Sequence, residues 1–160
     1  MLKGLLLIDT SIMQEILYFP KSTTSIKERF NSMLFSNDYI LFLPLATIFE
    51  TGNHISQLKR EYNNARFEIA QDFISKVQMA LDGTTPFRAL EWEAKEIGDW
   101  INSFPEEASK GKSFGDCSII AQFKKLCQDS PIQLPIKIWS KDSHLQNYKR
   151  NWNFPEWKDI

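Results

Sequence analysis

The fold is decided by the stretch Leu5-Leu6-Leu7-Ile8-Asp9-Thr10-Ser11 near the start of the chain. Its first four residues are an unbroken apolar run of strand length, and the run stops at an acid and two hydroxyl residues that are typical of helix caps. The apolar residues that come next recur at helical spacing, at Ile12, Met13, Ile16 and Leu17. The chain is therefore predicted to open with a buried strand, a turn and a helix, and Pro20 ends this unit.

The alternation of strand and helix continues along the rest of the chain. Further strands are predicted at Tyr39–Leu43, Phe87–Leu90 and Ile136–Trp139. Helices are predicted at Ser25–Leu34, at Ala46–Leu81 with a break near Arg60–Asn64, at Glu91–Ile101, and from Ser113 onward. Unbroken apolar strands that alternate with helices indicate an α/β fold with a parallel sheet buried on both faces.

Length and composition limit the class of protein. The 160 residues fit one domain, residues 1–160, and the 42% hydrophobic and 24% charged residues are ordinary for a globular protein. A net charge of −1 argues against a surface that attracts nucleic acid everywhere, but it leaves room for a local basic cleft. No stretch is long enough to span a membrane, and Cys117 and Cys127 are expected to be buried thiols, so we expect a cytoplasmic protein.

Four acids lie where the predicted strands end or the predicted helices begin. Asp9 directly follows the first strand, Glu50 lies early in the helix after the second strand, Asp116 opens an apolar helix, and Asp142 follows the last strand. In a parallel sheet these places share one rim, where ligands bind. Carboxylates gathered there repel one another unless a cation neutralises them, and oxygen ligands without Cys or His suit Mg²⁺ or Mn²⁺.

Helix capping is the alternative interpretation of the same acids. Asp and Glu are favoured at helix amino termini by capping and by the helix dipole. The segments Thr47–Glu50 and Ser113–Asp116 both fit the capping-box pattern. Each acid alone is explained equally well by either role, whereas four acids on one rim favour a metal site.

Four segments resemble, in order, the motifs of PIN-domain nucleases. They are Leu6-Leu-Ile-Asp9-Thr-Ser11, Ile48-Phe-Glu50-Thr-Gly-Asn53-His-Ile55, Gly115-Asp116-Cys-Ser-Ile-Ile-Ala121 and Trp139-Ser140-Lys141-Asp142. The resemblance implies a three-layer α/β/α sandwich with a central parallel sheet and metal-dependent cleavage of RNA. Many small members are toxins silenced by an antitoxin partner, in the manner of VapC-like ribonucleases. The chain departs from the pattern in having Ser140 where Thr is commoner, and in a long helical segment over residues 62–105.

The resemblance also assigns roles to individual residues. Asp9, Glu50 and Asp116 are expected to hold Mg²⁺ or Mn²⁺, and Asp142 to bind a second ion or a metal-bound water. Residues expected to orient these carboxylates are Ser11, Asn53 and Ser140. Residues expected to contact substrate phosphates are Lys110, Lys112 and Lys141, with a solvated loop as the alternative.

RNA is the expected substrate, and we expect a homodimer or a complex with a small antitoxin. The aromatic tail, Trp152, Phe154 and Trp157, either stacks on bases or covers a sheet edge or dimer surface, and we favour the covering role. A non-catalytic PIN-fold module that acts in binding or scaffolding is the first alternative. A receiver domain and an Asp-x-Asp phosphatase are disfavoured, because Thr10 and Ser11 follow Asp9 where those proteins carry a second acid.

Overall fold

The first predicted strand is the centre of a five-stranded sheet in the computed structural model, which describes residues 1–154. The strand order is β3-β2-β1-β4-β5, where the strands are β1 (Gly4–Ile8), β2 (Tyr39–Pro44), β3 (Phe87–Leu90), β4 (Ile136–Trp139) and β5 (Lys149–Arg150). Strands β1 to β4 are parallel and β5 is antiparallel to β4. Leu6 pairs with Leu41 of β2 and Lys137 of β4, so β1 is bonded on both sides, and all five of its residues are buried, as its unbroken apolar run predicts.

Helices cover both faces of the sheet. They are α1 (Thr10–Ile16), α2 (Ser25–Ser36), α3 (Leu45–Ser56), α4 (Asn63–Asp82), α5 (Ala94–Ile101), α6 (Phe104–Ser109), α7 (Phe114–Asp129) and α8 (Ser143–Gln146), with a 3₁₀ turn at Arg60–Tyr62. Leu6 and Ile8 face one apolar cluster, which contains residues of α1 to α4, whereas Leu5 and Leu7 face a second cluster with residues of α7 and α8. The alternation of side chains along β1 thus builds a three-layer α/β/α sandwich.

The clearest departures from the predicted elements are the start of α5 and three short elements that were not predicted. Helix α5 begins at Ala94 and not at Glu91, because Glu93 caps it in a capping box with Glu96. Helix α6 was not predicted, although Pro105 suits its first turn. The elements α8 and β5 were also missed, because segments of four and two residues carry no apolar periodicity.

The aromatic tail covers the amino end of the sheet. Trp152 is buried, and its ring centroid lies 5.9 Å from that of Tyr39 and 5.0 Å from that of Phe154. A Cβ atom at Gly4 would lie 2.8 Å from the Trp152 ring, so the indole packs directly on the start of β1. Covering is therefore the observed role of Trp152 and Phe154, and Trp157 lies outside the described residues.

Cys117 and Cys127 are the two cysteines that the sequence predicts to be buried thiols. Cys117 and Cys127 are both free thiols, but only Cys117 is buried and Cys127 is half-buried, since its helix carries it toward the surface. Burial raises the pKa of both thiols above the ordinary value. Among residues 1–154 no helix combines the length and the apolar character needed to cross a bilayer.

Candidate acidic site at the carboxyl edge of the sheet

Asp9 is the most firmly held of the four acids. It follows β1 directly, it is only 8% exposed, and its backbone N–H donates to the carbonyl of Trp139 at the end of β4. Its Oδ2 atom accepts hydrogen bonds from Ser140 Oγ at 2.7 Å and from Ser11 Oγ at 2.9 Å. The same oxygen accepts a longer bond of 3.5 Å from the Ser11 N–H, which caps α1. Two hydroxyl donors on one oxygen fix the orientation of the carboxylate.

The two serines join the ends of strands β1 and β4. Ser11 Oγ accepts from the N–H of Lys141 at 2.9 Å, and Ser140 Oγ accepts from the N–H of Asp142 at 2.9 Å. Asp142 is exposed, and its Oδ1 caps α8 by accepting from the His144 N–H at 2.8 Å. Ser11 and Ser140 therefore lie where the sequence predicted, because the parallel pairing of β1 with β4 brings their strand ends together.

Glu50 reaches the same edge of the sheet from α3. Thr10 Oγ1 donates to Glu50 Oε2 at 2.7 Å. A Cβ atom at Gly115 would lie 1.8 Å from Glu50 Oε1 and 2.8 Å from its Cδ, so only glycine leaves room for the carboxylate there. The capping box predicted for Thr47–Glu50 is wrong, because α3 begins after Pro44. The Thr47 hydroxyl instead donates to the carbonyl of Ile8 at 2.7 Å.

Asp116 lies in the first turn of α7, and the negative charges of the other three acids act on its carboxyl group. Its N–H donates to Ser113 Oγ at 3.0 Å, so one half of the predicted capping box is present. The pKa of the Asp116 carboxyl is raised, first by burial and then by the negative charges of Asp9, Glu50 and Asp142. Four acids from four separate segments thus share one region of negative potential at the carboxyl edge of the sheet.

The four carboxylates are the side chains at this edge that could bind a metal ion. Within residues 1–154, no group of three or more His, Cys, Asp or Glu side chains is arranged to hold a metal ion as it stands. The donor chemistry fits a hard divalent cation, because all four side chains are carboxylates and Gly115 leaves open the space that Glu50 enters. The side chains that would hold it are Asp9, Glu50 and Asp116, with Asp142 at the edge of the group.

Two predicted site residues point elsewhere. Asn53 is exposed, and its side chain donates no hydrogen bond to a site carboxylate in the described part of the chain. Lys141 follows Ser140, but its Nζ donates to Glu15 Oε1 at 2.6 Å. Glu15 lies in α1, is 6% exposed and also accepts from the N–H of Thr23 at 3.1 Å, so its carboxylate links Lys141 after β4 to the loop that follows α1.

The other two lysines pair with acids of α6. Lys110 Nζ lies 3.1 Å from Glu106 Oε1 and 3.3 Å from Glu107 Oε1, and Lys112 forms an ion pair with Glu107. These contacts raise the pKa of both lysines, chiefly through the hydrogen bonds to the glutamates. Lys110 is exposed and Lys112 is half-buried, and their contact with substrate phosphates stays a prediction.

The sequence did not single out Thr10 or Gly115. Thr10 was noted only as a capping residue, and its partner Glu50 is 40 positions away. Gly115 was quoted only as the residue before Asp116. In the sequence, the only signal for these two residues is their position beside a site acid. Local patterns do not specify which side chains of α1, α3 and α7 meet.

Comparison with known proteins supports the fold and nothing more specific. No family model matches the chain, and no curated protein matches it. The crystal structure of PAE2754 from Pyrobaculum aerophilum is similar, with a TM-score of 0.50 and 17% sequence identity. The match covers 91% of this chain and 85% of that chain. At this identity the likeness shows a shared α/β arrangement only.

Proposed function

We propose that the chain is a Mg²⁺- or Mn²⁺-dependent ribonuclease that hydrolyses RNA phosphodiester bonds at the acidic site. The observation that carries the proposal is the convergence of Asp9, Glu50 and Asp116, because Glu50 binds Thr10, the residue after Asp9, and packs on Gly115, the residue before Asp116. A protein that gathers like charges at a strand edge sacrifices stability there, which is typical of functional sites. The resemblance of four ordered segments to PIN-domain motifs supports the same assignment.

The described contacts indicate what each side chain does. When bound, a divalent cation would lower the pKa of an attacking water and offset charge on the phosphate oxygens. Asp9 presents its carboxylate in one orientation, because Ser11 and Ser140 hold Oδ2. Glu50 is held in the same way by Thr10. Hydrolysis then joins the water oxygen to phosphorus as the ester P–O bond breaks, and the leaving sugar oxygen takes a proton.

Electrostatics explains why such a site would depend on a cation. The four carboxylates repel a phosphodiester, since both carry negative charge. Lys141 is next to Asp142 in the sequence, but it is paired with Glu15 and does not neutralise the four carboxylates. RNA is therefore expected to bind productively at this edge only when a divalent cation is present.

The test is cleavage of a labelled single-stranded RNA before and after removal of divalent ions with EDTA. We expect cleavage that stops with EDTA and returns with Mg²⁺ or Mn²⁺. Asp9→Asn and Asp116→Asn should each reduce it by orders of magnitude, because each removes one charged ligand. Asp82→Asn, at the exposed end of α4, is the matched control and should leave cleavage unchanged. Full cleavage by both site variants would contradict the assignment.

A non-catalytic RNA-binding module of the same fold is the second candidate. It is favoured by one observation, that the side chains of residues 1–154 do not already form a metal-holding group. This candidate predicts RNA binding without cleavage under every divalent ion tested. The same assay therefore separates the two functions.

Assembly and cellular role are part of the proposal. Helix α4 exposes Phe67, Ile74 and Leu81 at intervals of seven residues, the spacing of a helix–helix seam. We propose that this seam pairs with a second copy of the chain, and light scattering should report a dimer.

We also propose that the ribonuclease is a cytoplasmic toxin with a small antitoxin partner. A short reading frame next to the gene should encode that partner.

A further inference from the structure

An aromatic pocket lies directly beside Glu50. It encloses about 340 Å³ between the start of α3, helix α5 and the start of α7. Its walls include Phe49, Trp92, Trp100 and Phe114, and Glu50 forms part of the rim. The ring centroids of Trp92 and Trp100 lie 6.0 Å apart, and those of Trp100 and Phe114 lie 5.1 Å apart. The volume is within the range of pockets that hold small ligands.

The pocket is fixed on one side and open on the other. The indole N–H of Trp92 donates to Ser118 Oγ at 2.8 Å, and Ser118 is buried in α7, so this wall is held in place. Phe49 is 69% exposed and Phe114 is 45% exposed. Exposed aromatic rings at the mouth of an apolar pocket are typical of a binding site, because they stay in water unless a ligand covers them.

The rings and the site acids come from the same helical turns. Phe49 immediately precedes Glu50 in α3, and Phe114 and Gly115 immediately precede Asp116 in α7. A ligand that fills the pocket therefore lies next to the acidic site. The matching ligand has a flat, neutral ring joined by a short link to a phosphate, which describes a nucleotide.

Charge favours a base over both a phosphate and an aliphatic side chain. Glu50 is the one charged residue among the described residues that line the pocket, so an anion is disfavoured inside it. An aliphatic side chain would cover the Glu50 carboxylate without offering it a hydrogen bond, at a cost in desolvation. A nucleobase stacks on the rings and carries N–H groups that can donate to the carboxylate.

We propose that this pocket binds one nucleobase of single-stranded RNA, with the adjoining phosphodiester at the acidic site. The proposal rests on the proposed ribonuclease function for the identity of the neighbouring phosphate. Stacking on an aromatic side chain is tolerant of base identity, so the pocket fixes the position of the strand more than its sequence.

The experiment measures RNA binding and not cleavage, so that the two proposals fail separately. Affinity for a short single-stranded RNA is measured with Mg²⁺ in the Asp116→Asn background. Phe49→Ala should weaken binding by about 5- to 150-fold, which corresponds to the loss of one base–ring stack of about 1–3 kcal/mol. Phe49→Trp should restore it, since Trp also stacks. Phe35→Ala, which removes an even more exposed Phe on α2 (86% against 69% for Phe49), is the control and should change affinity less than twofold.

An oligonucleotide with a single abasic position locates the base. When the abasic position is the one that enters the pocket, this oligonucleotide should bind the Asp116→Asn chain as weakly as intact RNA binds Phe49→Ala in the same background. Combining the abasic position with Phe49→Ala should weaken binding no further. Equal RNA affinity of the Phe49→Ala and Phe35→Ala variants overturns the pocket proposal. This holds even if Phe49→Ala changes the oligomeric state. A Phe49-dependent affinity supports the pocket, and if the unsubstituted chain cleaves no RNA under any divalent ion, the ribonuclease proposal alone is removed.

Discussion

Replacing Gly115 with Ala tests whether the position of the Glu50 carboxylate matters. The added Cβ would lie 1.8 Å from Glu50 Oε1, whereas ordinary van der Waals contact begins near 3.4 Å. The carboxylate must therefore move by about 1.6 Å, which its flexible side chain can do without a backbone shift. A misplacement of about 1 Å in a catalytic group costs roughly 100-fold in rate, so we expect RNA cleavage to fall by about that factor or more.

Folding stability should change little in the same variant. Ala in a helix is more favourable than Gly by about 0.8–1 kcal/mol. Moving Glu50 breaks its hydrogen bond with Thr10, which costs about 0.5–1.5 kcal/mol. The two effects offset one another to within about 1 kcal/mol. Urea unfolding should thus show a chain as stable as the parent, which excludes misfolding as the cause of lost cleavage.

Gly98→Ala is the matched control for this prediction. Gly98 lies in α5, and nothing within 4 Å would contact a Cβ atom there. This variant should gain the helix propensity of about 1 kcal/mol and cleave RNA as the parent does. If Gly115→Ala keeps the full metal-dependent cleavage of the parent, the location of Glu50 against α7 has no role in the reaction and the reasoning fails.

Three further predictions concern charge, orientation and assembly. The raised pKa of Asp116 means that its charged form destabilises the folded state, so Asp116→Asn should add about 0.2–1 kcal/mol at pH 7. That gain should vanish as the pH falls through the raised folded-state pKa to below the ordinary value, as followed by urea unfolding across pH. Ser140→Ala removes a donor to Asp9, so cleavage should fall by about 10- to 100-fold while metal addition still restores some activity. Ile74→Lys places a charge in the exposed seam of α4 and should convert a dimer to a monomer by light scattering, whereas a mass unchanged from the parent would contradict the seam.

The sequence predicts the sheet well because burial leaves a local signature. Leu5–Ile8 and Tyr39–Leu43 are apolar at consecutive positions, and such runs occur where helices cover both faces of parallel strands. The short strand Lys149–Arg150 has no such signature, because its position depends on pairing with β4 at the edge of the sheet. Its register is a property of the folded structure and not of two charged residues.

The acidic site is predictable in its members and not in its contacts. Asp9 and Asp142 could be placed on one edge because each follows a predicted strand. The hydrogen bond from Thr10 to Glu50 and the close approach of Glu50 to Gly115 join three helices, and no local pattern reports which side chains meet. Lys141 shows the same limit, because its position beside Asp142 suggested a substrate contact and did not reveal that its Nζ pairs with Glu15.

Capping does not explain why four acids gather at this edge. A helix cap contributes about 1 kcal/mol, and Asn provides it about as well as Asp without a charge. Asp9 is buried, and the pKa of Asp116 is raised first by its own burial and then by the charges of Asp9, Glu50 and Asp142, which is a cost that capping does not require. Asp9→Asn keeps the cap and removes the charge, so the two interpretations predict different outcomes. Under capping, melting temperature and cleavage both stay at the parent values. Under the proposed metal site, melting temperature holds or rises while cleavage is lost, because the repulsion and the ligand charge disappear together.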